Sequence, residues 1–486
     1  MDEKTTDNTN QGLPAYVTHA ELAEALHHQH KRQKRRRAGI FLKIVGLIAL
    51  VHWVGHKYGS THHTGQYSRS FDDPEDKWPI PPETQVEKCA TWSESTPEAF
   101  SVIDAHYPHS ASASFNLPVE SAALFLATRS IIHRHGKHHG LFAAGAIDYV
   151  QGTDSGDNVN VAVTAQYWHT AHLEAAKVCL LSKTDGNKQN GVGILTKWED
   201  EDWEDDHDHH HGSTELRFQI TVTFPAAKDG KVLDIEKFET DLEVYSQTFA
   251  GSMKEVHFKA LELKSALAGI TAKELTADVA TLRTSLAAID IETLKSNNAT
   301  LTTALGRIEG TYNVTDSLSL TTSNAPINVD INLVTDGSNE RPGNIKLVTT
   351  NAAIEANISL ASSSESSPGS FDVSAHTAHG QVELPILALP IDAELNLEAT
   401  TALAKVFVGL PETYEGSIEA TTSLANVDIK IDSGAKDPKG EDRKRVGGVE
   451  RVRRGVVNAK VGWSREGTGR GKVQARSSLG GILVEV

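Results

Sequence analysis

Histidine clusters twice along this chain, the second time among carboxylates. His133, His135, His138 and His139 share one short stretch, and His207, His209, His210 and His211 stand beside Asp205, Asp206 and Asp208 in another. Imidazole and carboxylate are ligands that zinc, copper or nickel accept, so His207, His209, His210 and His211 are the candidate metal ligands. Their spacing matches no closed site of two Cys and two His, and nothing in the sequence brings the two stretches together. A polar loop with weak metal affinity is the competing reading. A true site would sequester metal or act as a pH-sensitive charge patch, because clustered imidazoles titrate near neutrality.

Other chemistry is sparse. There is no Gly-x-Ser-x-Gly elbow, no phosphate-cradling glycine loop and no His-Glu-x-x-His. Paired carboxylates could hydrolyse a glycosidic bond, but no ladder of Asp, Arg and aromatic residues converges on one face. The expectation is a protein that is not an enzyme and needs no cofactor. Asn298-Ala-Thr, Asn313-Val-Thr and Asn357-Ile-Ser are N-glycosylation acceptors. The two cysteines, Cys89 and Cys179, would pair as a disulfide in an oxidising compartment; two free buried thiols are the alternative.

These residues must be positioned by a repeat. The phrase [S/T]-x-[L/N/H]-[A/G]-x-[I/V] recurs nine times: SALAGI from Ser265, TSLAAI from Thr284, TALGRI from Thr303, TSNAPI from Thr322, TTNAAI from Thr349, TAHGQV from Thr377, TALAKV from Thr401, TSLANV from Thr422 and SSLGGI from Ser477. Successive copies lie 19, 19, 19, 27, 28, 24, 21 and 55 residues apart. Spacings near 20 to 30 belong to stacked units that bury a face against their neighbours. The last gap predicts a degenerate copy plus an insertion.

An apolar-alternating run follows each copy and usually precedes it, as at Ile418 and Ala420 before Thr422 and then Val427, Ile429 and Ile431, which is the period of a half-buried strand. Leu424 to Val427 is a step of three, so the phase slips at a corner while both strands keep apolar faces inward. The hydroxyls are expected to bond local backbone. Leu261 to Leu294 also fits helical spacing, but its copies of the phrase favour strands. The predicted fold is all-β, a β-solenoid ectodomain with one N-terminal transmembrane helix.

That helix is read at residues 38–57, from AGIFLKIVGLIALVHWVG, about the minimum that spans a bilayer. The basic run HHQHKRQKRRR precedes it, so the positive-inside rule puts the amino terminus in the cytoplasm and the rest in the lumen or outside, a single-pass type II topology with the lipid bilayer as partner. A cleaved signal peptide is the rival reading. The remaining divisions are a cytoplasmic tail at 1–37, a stalk at 58–87, an irregular β-rich part at 88–255 and the repeat at 256–486. Lys183 to Gly212 and Ser433 to Arg454 read as solvated insertions. A net charge of −17, with the basic residues concentrated at the amino end, argues against nucleic acid.

The SFNLP stretch from Ser114, LFLATRS from Leu124, TSNAPI from Thr322 and the ending VGWSREGTGRGKVQARSSLGGILVEV together resemble uncharacterised fungal single-pass membrane proteins with an adhesin-type β-solenoid domain. The resemblance covers most of the chain beyond about Trp78, and its motifs mark coils rather than a site. It implies a single-pass protein with an extracytoplasmic, adhesion-like β-solenoid acting as a binding or structural module. The long exposed faces, rich in Thr, Asn and Ser, would themselves suit glycans or cell-wall polymers, with surface proteins as further partners. A membrane-tethered carbohydrate-active enzyme and a His-rich metal-sequestering surface protein are the alternatives.

Overall fold

Alternation of buried and exposed positions runs through most strands from Leu233 onward, and it fixes the architecture there. The computed structural model describes residues 78–94, 107–132, 142–184, 188–198, 215–335, 342–364, 367–465 and 467–486. The expected transmembrane helix, both His clusters and most of the stalk lie outside them. Among the described residues no helix is long and apolar enough to cross a membrane. The strand Thr84–Cys89 begins inside the segment read as stalk and pairs with Ala176–Lys183.

The described chain is all-β, one large open sheet of 28 strands with no closed barrel and a single short α-helix, Thr170–Glu174. From Leu233 onward most neighbours are parallel and related by one repeat. Ile270–Arg283, Ile289–Thr302 and Ile308–Thr321 stack in register, Ile270 against Ile289 and Ile289 against Ile308. Each of these long strands serves two rows. Its first half follows one corner phrase and its second half leads into the next, so the stretch that also fitted helical spacing is strand broken only by the bends at its corners. The inward residues Ile289, Ile291, Leu294, Ala299 and Leu301 join one continuous core.

Both rows continue toward the amino end with strands of mixed direction. One runs through Tyr245–Ser252, Phe142–Ser155, Glu215–Ala226, Asn158–Tyr167 and His109–Pro118; the other runs through Leu233–Asp241, Ala123–Ile132, Gln189–Trp198 and Ala176–Lys183. The large rings gather at this join, where Tyr149, Phe224, Phe238, Phe249 and Phe258 pack against one another. About a third of the insertion expected at Lys183 to Gly212 is strand, Gln189–Trp198, in which Gly191 to Thr196 are buried without a break.

The corners explain the phrase. Its first residue is buried in all nine copies, at 7% exposure or less. From the third copy on, the hydroxyl donates to the carbonyl of the fourth residue in the neighbouring copy: Thr303 to Ala287, Thr322 to Gly306, Thr349 to Ala325, Thr377 to Ala352 and Thr401 to Gly380, at 2.8 to 3.2 Å. The third residue points the other way. Leu424 is 69% exposed, and Leu267, Leu403 and Leu479 are about half exposed. The inward series is thus Ile418, Ala420, Thr422, then Val427, and Leu424 is not the inward residue the phase argument assumed.

Chain order and spatial order part at the carboxyl end. Ser477 donates to Ala404 O and Thr422 to Gly480 O, each at 3.0 Å, so the last copy sits between its two predecessors. Accordingly Lys472–Ser477 lies between Glu394–Thr401 and Gly416–Thr422, and Ile482–Glu485 lies between Val406–Gly409 and Val427–Lys430. The long gap holds no degenerate copy. It holds a hairpin, Val446–Arg453 with Val456–Gly462, which extends the sheet beyond Gly416–Thr422, so the last part of the second expected insertion is strand while residues 433–445 are loop.

Candidate functional site

An outward row of polar side chains crosses five strands where the long strands bend between rows. Asp234 lies on Leu233–Asp241, His257 on Val256–Lys264, Asp278 on Ile270–Arg283, Asn297 on Ile289–Thr302 and Thr315 on Ile308–Thr321. Parallel register brings them side by side. His257 Nδ1 is 2.9 Å from Asp234 Oδ1 and its Nε2 is 3.2 Å from Asp278 Oδ1. Asn297 Nδ2 donates to Asp278 at 3.3 Å, and Thr315 Oγ1 donates to Asn297 Oδ1 at 3.0 Å. Register shifts between Ser296 and Asn298, a local irregularity that leaves Asn297 exposed.

Beside this row is a shallow groove of about 290 Å³, lined by His257, Asp278, Lys295, Asn297, Asn313 and Asn332 among others. Asn332 Nδ2 donates to Asn313 Oδ1 at 2.9 Å, and Lys295 Nζ is held 2.8 Å from Glu274. Half-exposed Val334, at 38%, gives the floor an apolar patch. A second outward row lies near the carboxyl end, in a groove of about 250 Å³ containing Asp372, Asn396, Lys472 and Gln474. There Asn396 donates to Asp372 at 3.2 Å and Gln474 to Glu419 at 3.0 Å. The Gln474 hydrogen bond, helped by nearby Lys472 and Arg476, holds the Glu419 carboxyl below the usual carboxylate range. A third cavity, of about 260 Å³, is lined by Arg129, Lys183, Glu239 and Asp241, whose charges already pair with one another.

These rows offer amide, hydroxyl and carboxylate groups repeated at the strand spacing of about 4.8 Å. Such an array suits many hydrogen bonds to a repeating ligand. Among the described residues no three His, Cys, Asp or Glu side chains converge as a metal site. His207, His209, His210 and His211 lie outside the described residues. Cys89 and Cys179 form a disulfide between the directly opposed strands Thr84–Cys89 and Ala176–Lys183. Asn298, Asn313 and Asn357 all face outward: Asn298 Oδ1 accepts from Ser317 at 2.7 Å, Asn357 Nδ2 donates to Asp330 at 2.7 Å, and Asn313 lies in the groove. Sequence reasoning missed the Asp234 to Thr315 row. Its signal was the repeat register itself, which aligns polar residues 18 to 23 positions apart.

A family model for a domain of unknown function, DUF7330, matches residues 297–435. That span starts within the polar row and covers the stack as far as the loop after Val427–Lys430. No curated protein matches the chain. Among solved structures, a candidate cell adhesion protein from Clostridium sporogenes is similar over 77% of this chain and 98% of that one, at 8% identity and a TM-score of 0.16. So low a score says nothing about what this chain does.

Proposed function

We propose that this chain is a membrane-anchored, extracytoplasmic β-solenoid that binds repeating glycans or cell-wall polymers without catalysis, in an adhesion-like role. The observation that supports this reading is the hydrogen-bonded row from Asp234 to Thr315 beside the groove, whose outward groups recur at the spacing of the strands. Each contact to a polymer would be weak, and affinity would come from their number along one surface. The disulfide fits an oxidising compartment, and the N-terminal apolar segment would supply the tether.

The test is binding of the full-length chain in detergent to a panel of neutral polysaccharides. Replacing Asn297, Thr315 and Asn332 together by Ala is expected to weaken binding at least tenfold. Binding that survives this replacement, or no binding to any polymer, overturns the reading. Asn313 sharpens it further, because a glycan attached there would fill the groove. A mobility shift on glycan removal that persists in Asn313→Gln, and is lost when Asn298 and Asn357 are also replaced, keeps the domain extracytoplasmic and the groove open. A shift carried by Asn313 would make the groove an attachment site instead.

A further inference from the structure

The strand Val446–Arg453 is an anomaly in an acidic molecule. It pairs on one side only, with Val456–Gly462, so its other edge presents free backbone N–H and C=O groups. Nearly its whole length is exposed, including Val449 at 49% and Val452 at 54%. Lys444, Arg451, Arg453 and Arg454 stand exposed on or beside it, and no described carboxylate pairs with any of them. The chain as a whole carries −17. A ligand that matches all three properties is an extended, strongly acidic peptide with apolar residues interspersed, added as one more strand.

The chain contains such a peptide. Between Trp198 and Glu215 the sequence EDEDWEDDHD places eight carboxylates within ten residues, around Trp203. We propose that the basic edge strand of one copy binds the acidic run of a second copy, joining molecules head to tail. Reach argues against an intramolecular contact. Trp198 ends Gln189–Trp198, and thirteen successive strand pairings separate that strand from Val446–Arg453. At about 4.8 Å each, that is roughly 60 Å. A connection of 16 residues fixed at both ends extends at most about 28 Å from its anchors. The donor and acceptor surfaces differ, so the contact is heterologous and can propagate into open chains. It is independent of the glycan groove.

The competing explanation is that the arginines only guard an exposed edge against pairing, a common use of charge on edge strands. The two explanations predict opposite effects of neutralisation. Sedimentation of the full-length chain in detergent, over a concentration series at about 0.1 M and about 1 M salt, decides between them, because exposed pairs are largely screened at the higher salt. The wild type is expected to associate at low salt and dissociate at high salt. Arg451→Glu/Arg453→Glu/Arg454→Glu, and separately Glu199→Lys/Asp200→Lys/Glu201→Lys/Asp202→Lys, are each expected to stay monomeric. An equimolar mixture of the two should associate again, which misfolded variants could not do. A wild type that is monomeric throughout, association indifferent to salt, an acid-reversed variant that still self-associates, or increased association on replacing the arginines by Gln would each overturn the proposal.

Discussion

The middle of the stack and its two ends are held by different physics. Between Ile270 and Leu347 each strand lies between near-copies of itself, joined by parallel backbone ladders and by buried hydroxyls that clamp one corner to the next. At the amino end a disulfide fastens Thr84–Cys89 to the sheet. At the carboxyl end the buried Glu415 accepts from Trp463 N and from Arg470, both at 2.8 Å, and Arg470 also pairs with Asp392. Arg445 lies over the Trp463 ring, 5.2 Å away, and donates to the Asp432, Val486 and Glu412 carbonyls. A rung with like neighbours is templated by them, while a terminal rung has one neighbour missing and needs specific side-chain fasteners.

The strongest way to break this comparison is at a corner where the two regimes meet. A Cβ on Gly480 would lie 1.6 Å from Ala404 O, a backbone atom that no rotamer change can move. Gly480→Ala is expected to cost about 3 kcal/mol or more, against almost nothing for Gly448→Ala, where no atom lies within 4 Å. Urea unfolding of both variants checks it, and equal midpoints would mean that the inserted last copy is not packed between its neighbours. Next, Glu415→Ala leaves Trp463 N without its partner at a buried position. A loss of about 2 to 3 kcal/mol is expected, at or below the lower end of the range of about 3 to 5 for breaking a buried pair, because Arg470 keeps partial solvent contact. Protease should then cut first near the carboxyl end, and cutting first within the middle rungs would erase the distinction between the regions. Thr322→Val tests a middle clamp, and the loss of one hydrogen bond there should cost about 1 kcal/mol.

Acid separates the ends from the middle in another way. The Arg443 guanidinium, together with the backbone N–H groups of Lys439, Arg443 and Glu441, holds the Asp437 carboxyl far below its ordinary range. A carboxyl depressed in the folded state stabilises above its unfolded value of about 3.9, and that contribution is lost as pH falls through the folded value. The Asp437 to Arg443 loop should therefore loosen below about pH 4 while the hydroxyl clamps, which do not titrate, persist. Hydrogen exchange at low pH measures this directly, and uniform exchange across both regions would contradict it.

The legibility of the sequence follows the same division. Alternation at Val159, Val161 and Val163, and at Ile327, Val329 and Ile331, named strands that are present with those side chains buried, because period-two burial is a local property. The corner hydroxyls were legible only in their local bonds, such as Gly306 N donating to Thr303 Oγ1; their bonds to the neighbouring copy were not. What was not legible depends on which strand lies beside which. The Asp234 to Thr315 row exists only once register is known, and the insertion of Lys472–Ser477 between earlier strands reverses chain order, which no spacing reveals. Arg445 and Trp463 are 18 residues apart within the segment joining two repeats, and nothing local marks them as partners.

The smallest expected effect tests the one place where periodicity pointed the wrong way. Counting Leu424 with the inward series makes it a core residue, and truncating a buried leucine costs about 2 to 5 kcal/mol. Exposure of 69% makes it a surface residue instead, for which substitutions stay within about 0.5 kcal/mol. The third position of the phrase carries Asn324, Asn351 and His379 elsewhere in the stack, bonded side by side and open to solvent, which is what an outward site accepts and a core site does not. Leu424→Asn should therefore leave the urea midpoint almost unchanged, whereas Val427→Asn, three residues on and buried at 4%, should lower it steeply. The contrast between these two variants measures the turn of the chain at the corner, since the side chain changes from outward to inward within a single phrase. Equal losses at both positions would place the leucine inside and undo the assignment of the buried hydroxyl as the inward member of each copy.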